Sequence, residues 1–266
     1  MKPDSGARYW LVLALIGVIG GFLSGLFGVG GGIVMVPLLV GLAQMDQRRA
    51  AATSLVAIVP ASAVGATTYF LNGQVDLVAA GFIVIGAVVG AVIGTRLLRR
   101  IPLVWLRWMF IGLLVVVAAR LLLVPPIRGE ALEFSWYIAI GYVVLGLFMG
   151  IASGLFGIGG GVIAVPGLIA LFGASDLIAK GTSLLVMLPT GIVGTVGNIR
   201  GRLVDLRAGL VVGLAATLVS APGVALALVI PPRLSGILFA GLLILAVVQL
   251  SIKAVRAQRR PKPSAS

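Results

Sequence analysis

Apolar residues along this chain form runs separated by short polar joints, and the runs come in two lengths. Long runs occupy 10–27, 51–71, 77–95, 103–123, 137–156, 180–199, 208–230 and 235–252. Each is close to the roughly 20 residues that a helix needs to cross about 30 Å of hydrocarbon. Two shorter runs, 33–43 and 162–172, would reach only about 16 Å as helix, too little to span alone. Backbone in lipid must satisfy its own hydrogen bonds, so runs of this length and polarity predict helices. The short alternating segments of a β-barrel are absent from the pattern. The fold expected is an all-α integral membrane protein.

The order of long and short runs repeats. Residues 24–37 read SGLFGVGGGIVMVP and residues 153–166 read SGLFGIGGGVIAVP, identical at 10 of 14 positions at an offset of 129. The same offset pairs Gly17, Gly21 and Gly25 with Gly146, Gly150 and Gly154, and Thr53-Ser54-Leu55 with Thr182-Ser183-Leu184. It also pairs Pro60 with Pro189, Asp76 with Asp205, and Ile101-Pro102 with Ile230-Pro231. Low-complexity apolar sequence would not hold one register through prolines, glycines and an aspartate. Duplication follows, with an N-terminal repeat over 10–123, a C-terminal repeat over 137–252, and a basic, Pro- and Ser-containing tail at 253–266. That tail is expected to be disordered, cytoplasmic and turned to anionic lipid.

Each repeat holds five segments, the second being the short one after the glycine run. It is either a half-helix or the return limb of a glycine-tipped hairpin, and both bring the chain back to the side it entered. Charge supports that count. Five segments per repeat place 16 of the 20 Lys and Arg on one side, leaving only Arg120, Arg128, Lys180 and Arg233 opposite. Four passes per repeat give a far less lopsided split. By the positive-inside rule the richer side is cytoplasmic, so both termini are expected there, in a multi-pass protein of the cell inner membrane. An odd count per repeat also turns the two repeats upside down relative to each other, the arrangement that secondary transporters build around midplane sites.

Composition agrees and removes several chemistries. Hydrophobic residues make up 60% and charged residues 10%, against about 25% charged in a soluble domain. The chain has no Cys and no His, which removes thiolate chemistry and the usual general base and imidazole ligand. No metal, cofactor or nucleic-acid partner is implied, and an enzyme is not expected. The acids Asp4, Asp46, Asp76, Glu130, Glu133, Asp176 and Asp205 all lie at segment ends or in joints. A cation carrier would want a carboxylate within a span.

The glycine runs are the leading candidates for chemistry. Small-xxx-small spacing lets membrane helices pack closely, and Gly17/Gly21/Gly25, Gly86/Gly90/Gly94 and Gly146/Gly150/Gly154 read that way. Gly28, Gly30, Gly31 and Gly32, with Gly157, Gly159, Gly160 and Gly161, make no single face. A helix starting there directs bare amides and about half a positive charge at whatever lies ahead of it. The predicted site is a pair of such starts facing each other across a central cavity, holding a small anion. Ser24, Ser153 and the hydroxyls of Thr53, Ser54, Thr182 and Ser183 could donate to it, or cap helices and bridge them. Asp76 and Asp205 read as helix N-caps, then as possible coupling sites. Lys180 reads as an anion attractor or an ordinary outer-loop lysine. Asn198 and Arg200 read as a solvated loop, with a vestibule role as the alternative. A P-loop is excluded, since no Lys-Ser/Thr follows the glycines.

The doubled G-L-F-G-[VI]-G-G-G run, with a T-S-L and a proline downstream in each repeat, resembles the TauE/SafE sulfite exporter family over about residues 10–252. That resemblance implies movement of sulfite, organosulfonates or related anions across the cytoplasmic membrane. Alternating access with export is the mechanism expected. An anion channel or a carboxylate permease is the alternative.

Overall fold

The computed structural model describes residues 6–123 and 135–258. Among these the chain is all helix. α1 (Ala7–Phe27), α2 (Gly32–Gly41), α3 (Gln47–Leu71), α4 (Leu77–Arg100) and α5 (Leu103–Leu123) form the first repeat. α6 (Trp136–Phe156), α7 (Gly161–Phe172), α8 (Asp176–Arg200), α9 (Leu206–Val229) and α10 (Pro232–Gln258) form the second. All but α2 and α7 are long and apolar enough to cross a membrane.

Several helices outrun the apolar patterns that predict them. α3 starts at Gln47 because the Asp46 carboxylate accepts from the amides of Arg48 and Arg49. This is a side-chain cap that hydropathy does not register. α4 carries Arg96, Arg99 and Arg100 as helical residues. α10 continues to Gln258, so helix replaces the expected disorder over 253–258. The remainder of that tail lies outside the described residues.

Two faces emerge from the joints. Arg48 donates to the Ile101 carbonyl at 2.7 Å, and Arg49 pairs with Asp205 at 3.3 Å. The α2–α3, α4–α5 and α8–α9 joints therefore share an arginine-rich face. On the opposite face the Asp76 amide donates to Thr182 Oγ1 at 2.9 Å, and Lys180 donates to Ser235 at 2.8 Å. Those bonds gather the α3–α4 joint and the starts of α8 and α10.

The repeats are interleaved. α4 packs chiefly against α6 and α8 of the other repeat, and α9 against α1 and α3. α5 and α10 pack on each other, α10 also touches α2, and α5 also touches α7. Two mixed lobes result: α1–α3 with α9 and α10, and α6–α8 with α4 and α5. They meet along α3–α8 and α5–α10.

Membrane helices gain little from hydrophobicity against lipid, so close van der Waals approach has to hold these pairs together. The small residues supply it. A Cβ built on Gly86, Gly90 or Gly94 runs into the backbone of α6, and one on Gly146, Gly150 or Gly154 into the backbone of α4. In the other lobe Gly17, Gly21 and Gly25 of α1 meet the backbone of α9 in the same way. These stripes are packing surfaces. Gly112 and Gly241 instead have nothing within 4 Å of an added Cβ. Gly90→Leu should therefore destabilise the protein by about 1–3 kcal/mol or more through overpacking, read as a lower melting temperature in detergent. Gly112→Leu should melt like the parent. Equal melting of the two variants would contradict the packing assigned to α4.

Candidate functional site

The two glycine runs cap and start helices by the same geometry. Gly28 and Gly157 close α1 and α6 in left-handed conformation, donating to Ser24 O at 2.8 Å and Ser153 O at 2.9 Å. Gly31 and Gly160, at φ 69° and 85°, are the left-handed N-caps of α2 and α7. A side chain at these positions would be strained whatever the space around it. The sequence reads GVGGG and GIGGG because the chain must turn back on itself inside a packed interior, within very few residues.

The hairpins enter from opposite faces and meet. A Cβ on Gly32 would strike the Gly157 carbonyl oxygen, and one on Gly161 would lie 2.6 Å from Val29 Cα and 2.7 Å from the Gly28 carbonyl oxygen. Ile58 of α3 and Met187 of α8 press on both Gly30 and Gly159. These two residues are related by the offset of 129, and they precede Pro60 and Pro189 by two positions. The prolines lack the amide that would pair one turn back, which weakens α3 and α8 at this level.

The expected central cavity between the runs is absent. The tips touch, and every glycine of both runs is buried. What the geometry keeps of the expectation is the donors. No described hydrogen bond uses the amides of residues 29–33 or 158–162. The hydroxyls of Ser24, Ser153 and Ser183 are also buried without a partner. Buried donors left unpaired cost about 1–3 kcal/mol each, and in native structures they mark a functional or strained place.

The other predicted residues divide. Thr53 Oγ1 accepts from the Asp205 amide at 3.1 Å and Thr182 Oγ1 from the Asp76 amide, so each threonine pins the joint before the fourth helix of the other repeat. Asp76 and Asp205 cap α4 and α9 through the amides of Ala79 and Ala208. Ser54 Oγ lies 2.6 Å from the Gly157 carbonyl oxygen, tying α3 to the opposite hairpin. The matching Ser183 makes no such bond.

Two readings of solvated loops need correction. Lys180 is 2% exposed, and its ammonium is held by Asp176 at 2.6 Å and Ser235 at 2.8 Å, with its stem against Gly28. α8 starts four residues earlier than Lys180, at Asp176, so the lysine lies one turn inside the helix. Asn198 is fully buried with both amide atoms unpartnered, while Arg200 is exposed. Asn198 stands where the first repeat has Tyr69, whose hydroxyl donates to the Gly25 carbonyl at 2.9 Å. The shorter Asn makes no such bond. Among the described residues no cluster of His, Cys, Asp or Glu could hold a metal.

Residues that the sequence reading passed over include the axial pair Ile58 and Met187, and two aromatic pairs. Phe27 stacks on Phe239 at 4.8 Å and Phe110 on Phe156 at 5.3 Å. The two pairs are exchanged by the offset of 129, and Phe27 and Phe156 immediately precede Gly28 and Gly157. That offset, applied to the apolar positions as well as to the glycines, could have found them.

The profile of the family described as "Sulfite exporter TauE/SafE" matches residues 2–121 and 142–266. This chain belongs to the TauE/SafE family. It is a membrane transporter family and not a family of enzymes. Its relatives include a Bacillus subtilis protein named "Probable membrane transporter protein YdhB", 32% identical over 73% of this chain and 79% of that protein. YunE of the same organism is 26% identical over 71% and 78%. A Haemophilus influenzae "Probable membrane transporter protein" is 31% identical over 69% and 71%.

Loss of transport in bulky glycine variants would not isolate the chemistry of this TauE/SafE site. A side chain at Gly31 meets the Gly20 backbone and one at Gly160 the Met149 backbone, so packing would fail first. Deleting an unpartnered hydroxyl is a cleaner test. Ser24→Ala and Ser153→Ala should leave the melting temperature unchanged or higher, because each removes a buried donor that lacks a partner. If these hydroxyls hold a charged cargo, each variant should cut transport by about tenfold or more, the worth of one lost hydrogen bond to a charged group. Parental flux in both would confine these hydroxyls to packing.

Proposed function

We propose that this membrane transporter is a secondary carrier of sulfite, organosulfonates or related small anions, working by alternating access between two inverted repeats. One observation carries the reading. Two buried helix starts, brought together from opposite faces, present amides that no described hydrogen bond uses. An oxyanion satisfies such donors without any cationic side chain, aided by the half-charge of each helix N-terminus. Ser24, Ser153 and Ser183 add hydroxyl donors beside them.

The tips are closed on each other, so the anion enters when they part. The moving bodies are the mixed lobes. Helices four and five of each repeat are exchanged into the other lobe, and the sequence halves therefore cannot rock as units. α3 and α8 cross at the lobe boundary and carry Pro60 and Pro189 beside the axial Ile58 and Met187. Bending there separates one hairpin tip from the other. Proline is a common cause of such kinks.

The arginine-rich face is assigned to the cytoplasm by the positive-inside rule. With that orientation an inside-negative potential favours export, by about 2.3 kcal/mol per charge per 100 mV and about 4.6 kcal/mol for a dianion. Among the described residues Lys180 is the one fully buried cation, it lies close to a hairpin tip, and its charge is neutralised by Asp176. It adds no free positive charge that would trap the anion.

The test is reconstitution. Purified protein in proteoliposomes should move labelled sulfite faster than protein-free vesicles, with saturation, competition by sulfonates, and stimulation when the destination is made positive. An absence of flux for sulfite and every sulfonate tried would overturn this assignment.

A further inference from the structure

A cavity of about 250 Å³ opens at the arginine-rich face between the α2–α3 joint, α5 and α10, lined by Gln44, Gln47, Arg107 and Phe110 among others. Gln47 is 1% exposed, and its amide nitrogen has no partner. Arg107 has no ion-pair partner among the described residues. Asp46 also lines the cavity, but one of its carboxylate oxygens accepts from the amides of Arg48 and Arg49. Gln44 stands in left-handed conformation at φ 56°, where its counterpart at the offset of 129 is Gly173. A non-glycine residue held there is strained.

The cavity lies against the glycine centre. Phe110 lines it and stacks on Phe156, the residue before Gly157. Gln47 is one helical turn from Ala51, which packs directly on Gly157. Space, an unpaired amide donor and a guanidinium outside any ion pair among the described residues thus sit, with the Asp46 carboxylate, one aromatic pair away from a hairpin tip.

The corresponding place at the opposite face is filled. There Asp176 stands for Gln47, Lys180 for Ala51, Ser235 for Leu106, and Phe239, stacked on Phe27, for Phe110. Lys180 occupies that place and binds Asp176 and Ser235. On that face the protein supplies both cation and anion itself. At the arginine-rich face the Asp46 carboxylate lines the same cavity, but among the described residues it makes no ion pair with Arg107.

We infer that the Gln47–Arg107 cavity is a binding site for a small oxyanion, the waiting site from which the transported anion passes the Phe110–Phe156 pair to reach the amides at Gly157. The guanidinium and carboxamide give the planar N–H donors that suit sulfite or a sulfonate head group. The volume leaves room for several waters at about 30 Å³ each. A lipid phosphate shares this donor chemistry. Trp105 and Trp108, exposed beside Arg107, mark the level of the membrane interface where one could reach. The free anion is favoured by the depth of Gln47 and by the aromatic pair that leads inward.

The inference rests on the anion-transport reading, and the experiment separates the two. Flux of labelled sulfite is measured in vesicles of neutral phosphatidylcholine, loaded from the arginine-rich face or from the opposite face. Arg107→Gln and Gln47→Leu should each raise KM from the arginine-rich face about tenfold, with the maximal rate from that face within twofold. From the opposite face KM stays unchanged and, by detailed balance, the maximal rate falls about tenfold. Arg107→Lys should restore part of the affinity. Parental KM in both variants, with wild-type flux intact, would overturn the waiting site and leave the transport reading standing. A defect seen only in vesicles containing anionic phospholipid would assign the cavity to a lipid head group and overturn it too. Absence of flux in the wild type would remove both readings together.

Discussion

Backbone amides buried away from water must find an acceptor, and most of this chain obeys that rule by being helix. At two places it does not. The glycine turns that reverse α1 into α2 and α6 into α7 interrupt the ladder deep inside the bundle, and no described hydrogen bond uses the amides of residues 29–33 or 158–162. Non-helical backbone at such depth is tolerated where it is enclosed by protein. The long helices, the proline-weakened α3 and α8, and the stacked phenylalanines beside each tip together provide that enclosure.

Exchange of the fourth and fifth helices between repeats follows from the same need. A hairpin tip that belonged only to its own repeat would be covered on one side. Because α9 packs on α1 and α4 on α6, each tip is walled by helices from both repeats. Thr53 and Thr182 fasten the joints that begin those exchanged helices, and Ser54 reaches the other hairpin directly. Each lobe is thereby tied to helices of both repeats.

Much of this was legible in the residues, and the limits are physical. Helices and the glycine turns between them could be read because apolar run length and runs of glycine are local properties. The function of the glycine stripes at Gly86, Gly90 and Gly94 could be read because four-residue spacing has one main use in lipid. The exchange of helices could not, since apolar faces carry no label saying which apolar face they meet. Lys180 and Asn198 were misplaced for a related reason. Segment-end polarity reads as solvent, whereas here α8 extends past its apolar run and carries Lys180 into the interior beside an acid four residues away. The open centre was expected because facing donors imply a ligand, but donors that close on each other exclude it until they part.

Perfect two-fold symmetry would make a carrier indifferent to direction, since each face would present the same affinity to the same anion. This chain departs from symmetry at a small set of matched positions beside the hairpins. Ala51 is answered by Lys180, Gln47 by Asp176, Leu106 by Ser235 and Tyr69 by Asn198. The substitutions concentrate charge near the Gly28 tip as a closed ion pair, and leave unpaired amide groups near the Gly157 tip and the end of α8. On one face Lys180 is closed in an ion pair with Asp176, whereas on the other Arg107 makes no ion pair among the described residues, although the Asp46 carboxylate lines the same cavity. The glycine hairpins are nearly identical and cannot supply that difference. The difference between the two faces, in this fold, therefore lies in the side chains around the hairpins and not in the hairpins themselves.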